Sequence, residues 1–164
     1  MSKTKNAVIL ADGDDRSQLP PVEMARVNAD AIYRAAVDVW HHHERHGRLV
    51  GRPTLVAEHR VASEMCRLCD DALGGMVQAY EQCAARLHPE GDDAEWWHKA
   101  NSLWHASREY LRRHDECDRL SSRVGTHNPA DLAARVLEFD LEASAVLALR
   151  HAAEAYRRTR PDLA

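Results

Sequence analysis

Between residues 55 and 87 the sequence repeats one spacing without a break. Leu55, His59, Ala62, Cys66, Cys69, Leu73, Met76, Tyr80, Cys83 and Leu87 are separated alternately by four and three positions. That alternation returns to one face of an α-helix every two turns, and it is the seam by which helices pack along their length. A chain carrying such a seam over about nine turns forms a long helix that needs partner helices to cover it. A second seam follows at Trp96, Ala100, Leu103, Ser107, Tyr110, His114, Cys117, Ser121 and Val124. The last stretch is apolar over a broader face, including Leu132, Val136, Leu137, Phe139, Leu141, Val146, Leu147 and Leu149. A broad face predicts burial on more than one side or contact with another molecule.

The punctuation between seams divides the chain into four helices. Pro20-Pro21 suits a helix start, and Gly47 reads as its stop. Gly47 to Pro53 is a loop, and His88 to Asp92 is a turn. Asn128-Pro129-Ala130-Asp131 reads as a capped helix start, with Pro161 beyond its end. The expected helices are 21–46, 54–88, 93–124 and 129–159. Similar lengths and short connections predict an all-α, antiparallel, up-down-up-down four-helix bundle over residues 20–164, after an N-terminal tail at 1–19. Within the tail, Ala7 to Ala11 could form a short extended segment. The pair Gly74-Gly75 is expected to bend the second helix or to admit a close neighbour. One Phe and seven Gly in 164 residues agree with a helical chain. The expected core includes Leu55, Ala62, Leu73, Met76, Tyr80, Leu87, Leu103, Tyr110, Val136, Phe139 and Ala143.

A net charge of -4 gives no global basic surface for nucleic acid or an acidic membrane. No apolar run is long enough to cross a bilayer, and the N-terminal apolar stretch is too short for a secretory signal. A cytoplasmic protein is expected, with its four cysteines as reduced thiols or metal ligands.

The two seams place Cys66 and Cys69 on the core face of one helix, and His114 and Cys117 on the core face of the next. If the two helices are antiparallel about a turn near residue 91, Cys66 lies level with residue 116 and Cys69 with residue 113. Three thiols and one imidazole then reach one level, a Cys3His set with the ligand types of a structural zinc site. By the same register Asp140 of the last helix lies opposite His114. It is placed to accept a hydrogen bond from the ring nitrogen that a metal leaves free. The competing reading is core packing, since reduced Cys is a small hydrophobe and Cys83 shares the seam without a place in the set. A redox pair of Cys66 and Cys69 is a further use of the same thiols.

Eleven histidines make chance clusters common. His41 to His46, with three His in a row, reads as a solvated helix end. Glu95 to His98 supplies one ExxH, where a di-iron bundle needs two. Trp97 and Trp104 form a second stripe that suits either core or a partner surface. Arg108, Arg112, Arg113, Arg119 and Arg123 interleave with acids, as on a mixed solvated face.

These features predict a non-enzymatic helical interaction or scaffold module, a subunit of a larger assembly through a protein partner or self-association, with a structural zinc ion. The alternatives are a metal- or thiol-dependent sensor or small metalloenzyme, and a helical nucleic-acid-binding subunit.

Overall fold

The computed structural model describes residues 19–49, 56–84, 87, 91, 93–122 and 128–163. Four helices of 29 residues each account for most of them: α1 (Pro21–Leu49), α2 (Val56–Ala84), α3 (Asp93–Ser121) and α4 (Pro129–Arg157). A short 3-10 turn at Pro161–Leu163 follows. No strand occurs among the described residues. Helices α1 and α2 pack closely, as do α3 and α4, and the two hairpins close on each other as an antiparallel bundle. No helix among the described residues is long and apolar enough to cross a membrane. The segment 7–11 and Leu55 lie outside the described residues.

The start of α4 follows from its cap. The Asn128 side chain accepts a hydrogen bond from the Ala130 N–H at 3.0 Å, and Pro129 occupies the first helical position. Helix α1 does not stop at Gly47 but runs through it to Leu49. Gly47 is exposed with open space around it, so nothing there requires a left-handed residue. Gly91 does, at φ +69°, in the turn before α3. Helix α2 passes through Gly74 and Gly75 unbroken. A Cβ on Gly74 would meet only Leu111 at 4.0 Å, and one on Gly75 would meet nothing. Neither glycine serves a close approach.

The α3 seam is buried where expected, at Trp96, Ala100, Leu103, Ser107, Tyr110 and Cys117. In α2 the buried row is Ala62, Cys66, Asp70, Leu73, Val77, Tyr80 and Ala84, with Cys69, Met76 and Cys83 only partly covered. The helix is turned so that Asp70, one residue past Cys69, faces inward. Helix α1 contributes small residues, Ala25, Ala29 and Ala36, beside Ile32 and Val39.

Helix α4 departs most from expectation. Val136 is 54% exposed and Phe139 53%, and Ala143 is exposed too. The inward row is instead Asp131, Arg135, Glu138, Glu142, Ala145, Leu149, Ala153 and Tyr156. It keeps heptad spacing as far as Leu149 and then steps by four to Ala153, and only its second half is apolar. The first half turns charges inward because α3 meets it with charges: Arg113 pairs with Glu138 at 2.9 Å, and His114 with Glu142 at 2.7 Å. The adjoining stripe, Leu132, Val136, Phe139 and Leu147, is left on the surface.

Toward the N-terminal half of α1 a polar level crosses the core. Tyr156 donates to Asp30 Oδ1 at 2.6 Å and accepts from Trp96 Nε1 at 3.2 Å. Arg160 Nη1 lies 2.9 Å from Asp30 Oδ2. The aspartate therefore has a hydrogen bond on one oxygen and a permanent cation on the other.

Candidate metal centre

A second tyrosine–aspartate level lies about 20 Å along α1 from the first, at 1.5 Å per residue between Asp30 and His43. Tyr110 of α3, fully buried, donates to Asp70 Oδ1 of α2 at 2.7 Å. The phenol has one proton and gives it to Asp70. The 2.6 Å contact between His43 Nε2 and the Tyr110 oxygen is then a hydrogen bond donated by His43. Asp70 Oδ2 is buried and makes no hydrogen bond; His114 Nε2 faces it at 3.3 Å. On the far side of the ring, His114 Nδ1 lies 2.7 Å from Glu142 Oε1. All four helices meet here.

One ligating atom each from His43, Asp70 and His114 lies within 4.8 Å of the others. Among the described residues this is the group spaced to hold a metal ion. The expected Cys3His set is not brought together as such a group. Cys66 and Cys117 are buried and line the same cavity as His114. Cys69 is only partly buried and feels the charge of Asp38 on α1. The level was anticipated correctly, since Asp70 meets both Tyr110 and His114. Ala62, Cys66, Leu73 and Tyr80 keep their places, but at alternate seam positions the next residue faces inward, Asp70 for Cys69 and Val77 for Met76, which replaces one thiol by a carboxylate. Asp140 is exposed, and the partner of His114 is Glu142. Glu138 and Glu142 bracket Asp140 in height, two residues to either side, on the opposite face of α4.

The electrostatics follow from burial and pairing. The hydrogen bond with Glu142 pushes His114 up to about 9, burial opposes it, and the Asp70 charge adds to the rise. Burial pushes His43 down and Asp70 up. Burial works to raise Glu142, but hydrogen bonds from His114 and Cys117 outweigh it and hold the carboxyl below its usual range. Burial and then Glu142 push the Cys117 thiol up to about 12, and burial pushes Cys66 up to about 11. Burial also pushes the Cys69 thiol up, so Cys66 and Cys69 are both held protonated and poorly nucleophilic, which does not favour their use as a redox pair. A cavity of about 1040 Å³ opens onto the group, lined by His43, Cys66, His114, Cys117, Phe139 and Glu142 among others.

Sequence reasoning missed His43, Asp70, Tyr110 in this role, and Glu142. The signal for His43 was present: Ala25, Ala29, Ile32, Ala36 and Val39 continue at heptad spacing onto it. His46 and His59 stack edge-on at 4.5 Å between ring centroids, at the rim of the same end. The arginines of α3 are mostly paired: Arg112 and Arg113 with Glu109, Arg119 with Glu116, and Arg108 with Glu81. Trp97 and Trp104 pack against the core beside Tyr80.

Compared with known proteins, the chain matches no protein-family model, no curated protein and no solved structure.

Proposed function

We propose that this chain is a small metal-binding helical bundle that holds one transition-metal ion between His43, Asp70 and His114. The supporting observation is Asp70 Oδ2, a buried carboxylate oxygen without a hydrogen bond, facing His114 Nε2 at 3.3 Å, with His43 and His114 lining the cavity beside it. A buried carboxylate oxygen that accepts no hydrogen bond is costly, and here the charge of His114 offsets it. The bundle contains its own control in Asp30, whose corresponding oxygen is closed by the permanent cation of Arg160. At Asp70 the facing cation is a histidine, and a metal ion can take its place by displacing one proton. Two histidines and one carboxylate suit zinc and iron. Three protein donors leave coordination positions open toward the cavity, the arrangement of a reactive or sensing centre rather than a closed structural one. A small metalloenzyme or metal-dependent sensor is the resulting reading.

The test is elemental analysis of protein purified without a metal-affinity resin. One metal ion per chain is expected, lost in Asp70→Asn and His114→Ala and kept in Cys69→Ser. Loss in Cys69→Ser with retention in Asp70→Asn would return the site to the thiols.

A second reading, self-association, is favoured by the outer face of α4. Between Leu132 and Leu147 its exposed positions carry one charged side chain, Asp140. A nearly uncharged helix face offers a charged partner nothing to recognise, whereas two copies related by a two-fold axis present the same apolar stripe to each other.

A further inference from the structure

We infer that Tyr110 is a fourth protein donor to the ion, and that the centre is therefore built for ferric iron in preference to zinc. The inference rests on the metal reading above and names the ion that reading leaves open.

The geometry comes first. The Tyr110 oxygen lies 2.6 Å from His43 Nε2 and 2.7 Å from Asp70 Oδ1. It sits between two of the three candidate ligands. For metal–donor bonds of about 2.0 Å, adjacent donors stand about 2.8 Å apart in an octahedron and about 3.3 Å in a tetrahedron. The separations at Tyr110, 2.6 Å to His43 Nε2 and 2.7 Å to Asp70 Oδ1, are close to octahedral edges, while His114 Nε2 faces the other carboxylate oxygen, Oδ2, at 3.3 Å. An ion drawn to His43 and Asp70 therefore meets the phenol oxygen that lies between them. Tyr110 is fully buried, so water does not compete for that position from its side.

The chemistry then selects the ion. Phenolate and carboxylate are hard oxygen donors, and two imidazoles complete a mixed set suited to iron. Tyrosinate is an established axial ligand of iron in proteins. Zinc is satisfied by the three other donors and gains least from a phenolate. Ligation breaks the Tyr110 O–H bond heterolytically. The oxygen keeps the electron pair and forms the bond to iron, the proton passes to solvent, and iron remains ferric. No oxidant or reductant enters the step. Four protein donors leave two positions of an octahedron for small ligands from the cavity.

The experiment uses the full chain, stripped with chelator and titrated separately with zinc chloride and ferric nitrilotriacetate. Wild type should take up ferric iron with a visible phenolate-to-iron charge-transfer band, and resonance Raman excited in that band should show tyrosinate ring modes. Tyr110→Phe should lose the band and bind ferric iron at least about tenfold more weakly, the lower bound for loss even of an outer contact. Its zinc affinity should change much less, which also shows that the variant folds. Tyr156→Phe should keep the band. A ferric adduct of wild type without the band, while zinc still binds, overturns the role of Tyr110 and leaves the metal reading standing. Equal loss of zinc and iron in Tyr110→Phe makes Tyr110 a positioning residue and overturns the inference likewise. Failure of wild type to bind either ion overturns both.

Discussion

Glu142→Gln isolates the interaction that fixes His114. In chelated protein His114 is pushed up to about 9 from an ordinary value of 6.5. A histidine whose folded value is raised contributes stability that is fully present below about pH 6.5 and is lost as pH rises to about 9. At about 1.36 kcal/mol per unit, the contribution is about 3 kcal/mol; the imidazole is 23% exposed, so solvent screening trims it only modestly. His43 works the other way: burial depresses its value, and the associated stability is lost as pH falls below about 6.5. Wild-type stability should therefore peak near pH 6.5 and fall toward pH 9. The substitution keeps the shape of the side chain but removes its charge. A charge-assisted hydrogen bond is about twice as strong as a neutral one. The loss between about pH 6.5 and 9 should accordingly shrink by at least about 1 kcal/mol. Urea unfolding at four pH values in this window, with chelator present, measures it. Equal losses in wild type and Glu142→Gln would refute the claim that Glu142 holds the proton on His114.

Other outcomes follow from burial and pairing. Leu73→Ala should cost about 2–5 kcal/mol, because the side chain is fully buried and leaves a cavity; Phe139→Ala, half exposed, should cost under about 1 kcal/mol, both by urea unfolding. Zinc at about 100 times its dissociation constant should raise wild-type stability by about 2.7 kcal/mol and leave Asp70→Asn unchanged, as read by thermal denaturation. Val136→Asp should abolish any concentration-dependent increase in mass seen for wild type by light scattering, without loss of helix content by circular dichroism.

The sequence was most legible where one residue type filled a seam. In α3 the seam residues from Trp96 to Cys117 are buried except His114, which is partly exposed, and the antiparallel register through Gly91 set the right heights. Spacing is less decisive about rotation, because neighbouring rows in α2, Cys69 with Met76 and Asp70 with Val77, carry competing patterns. Burial of Asp70 depends on Tyr110 and His114 arriving from another helix, and no local pattern encodes that. In α4 the apolar residues pointed to the wrong row. Hydrophobicity predicts inward faces only when the opposing surface is apolar, and α3 offers Arg113 and His114 there. At the expected level the group spaced to hold an ion is accordingly a carboxylate and two imidazoles, not the expected thiols.

The unequal fastening of the two tyrosine–aspartate levels has a consequence for how the bundle breathes. Asp30 is held by Tyr156 and the permanent cation of Arg160 with no histidine in the set, so its surroundings are expected to separate only when the whole fold does. The Asp70 level depends on a proton on His114 or on an ion in its place, and it borders a large cavity. Openings short of global unfolding should begin there. Amide hydrogen exchange would then be lopsided: slow and indifferent to metal around Asp30 and Tyr156, faster around His43, Asp70 and Glu142, and slowed at that end alone when an ion is bound. A chain of four equal helices is thus expected to have one inert end and one responsive end.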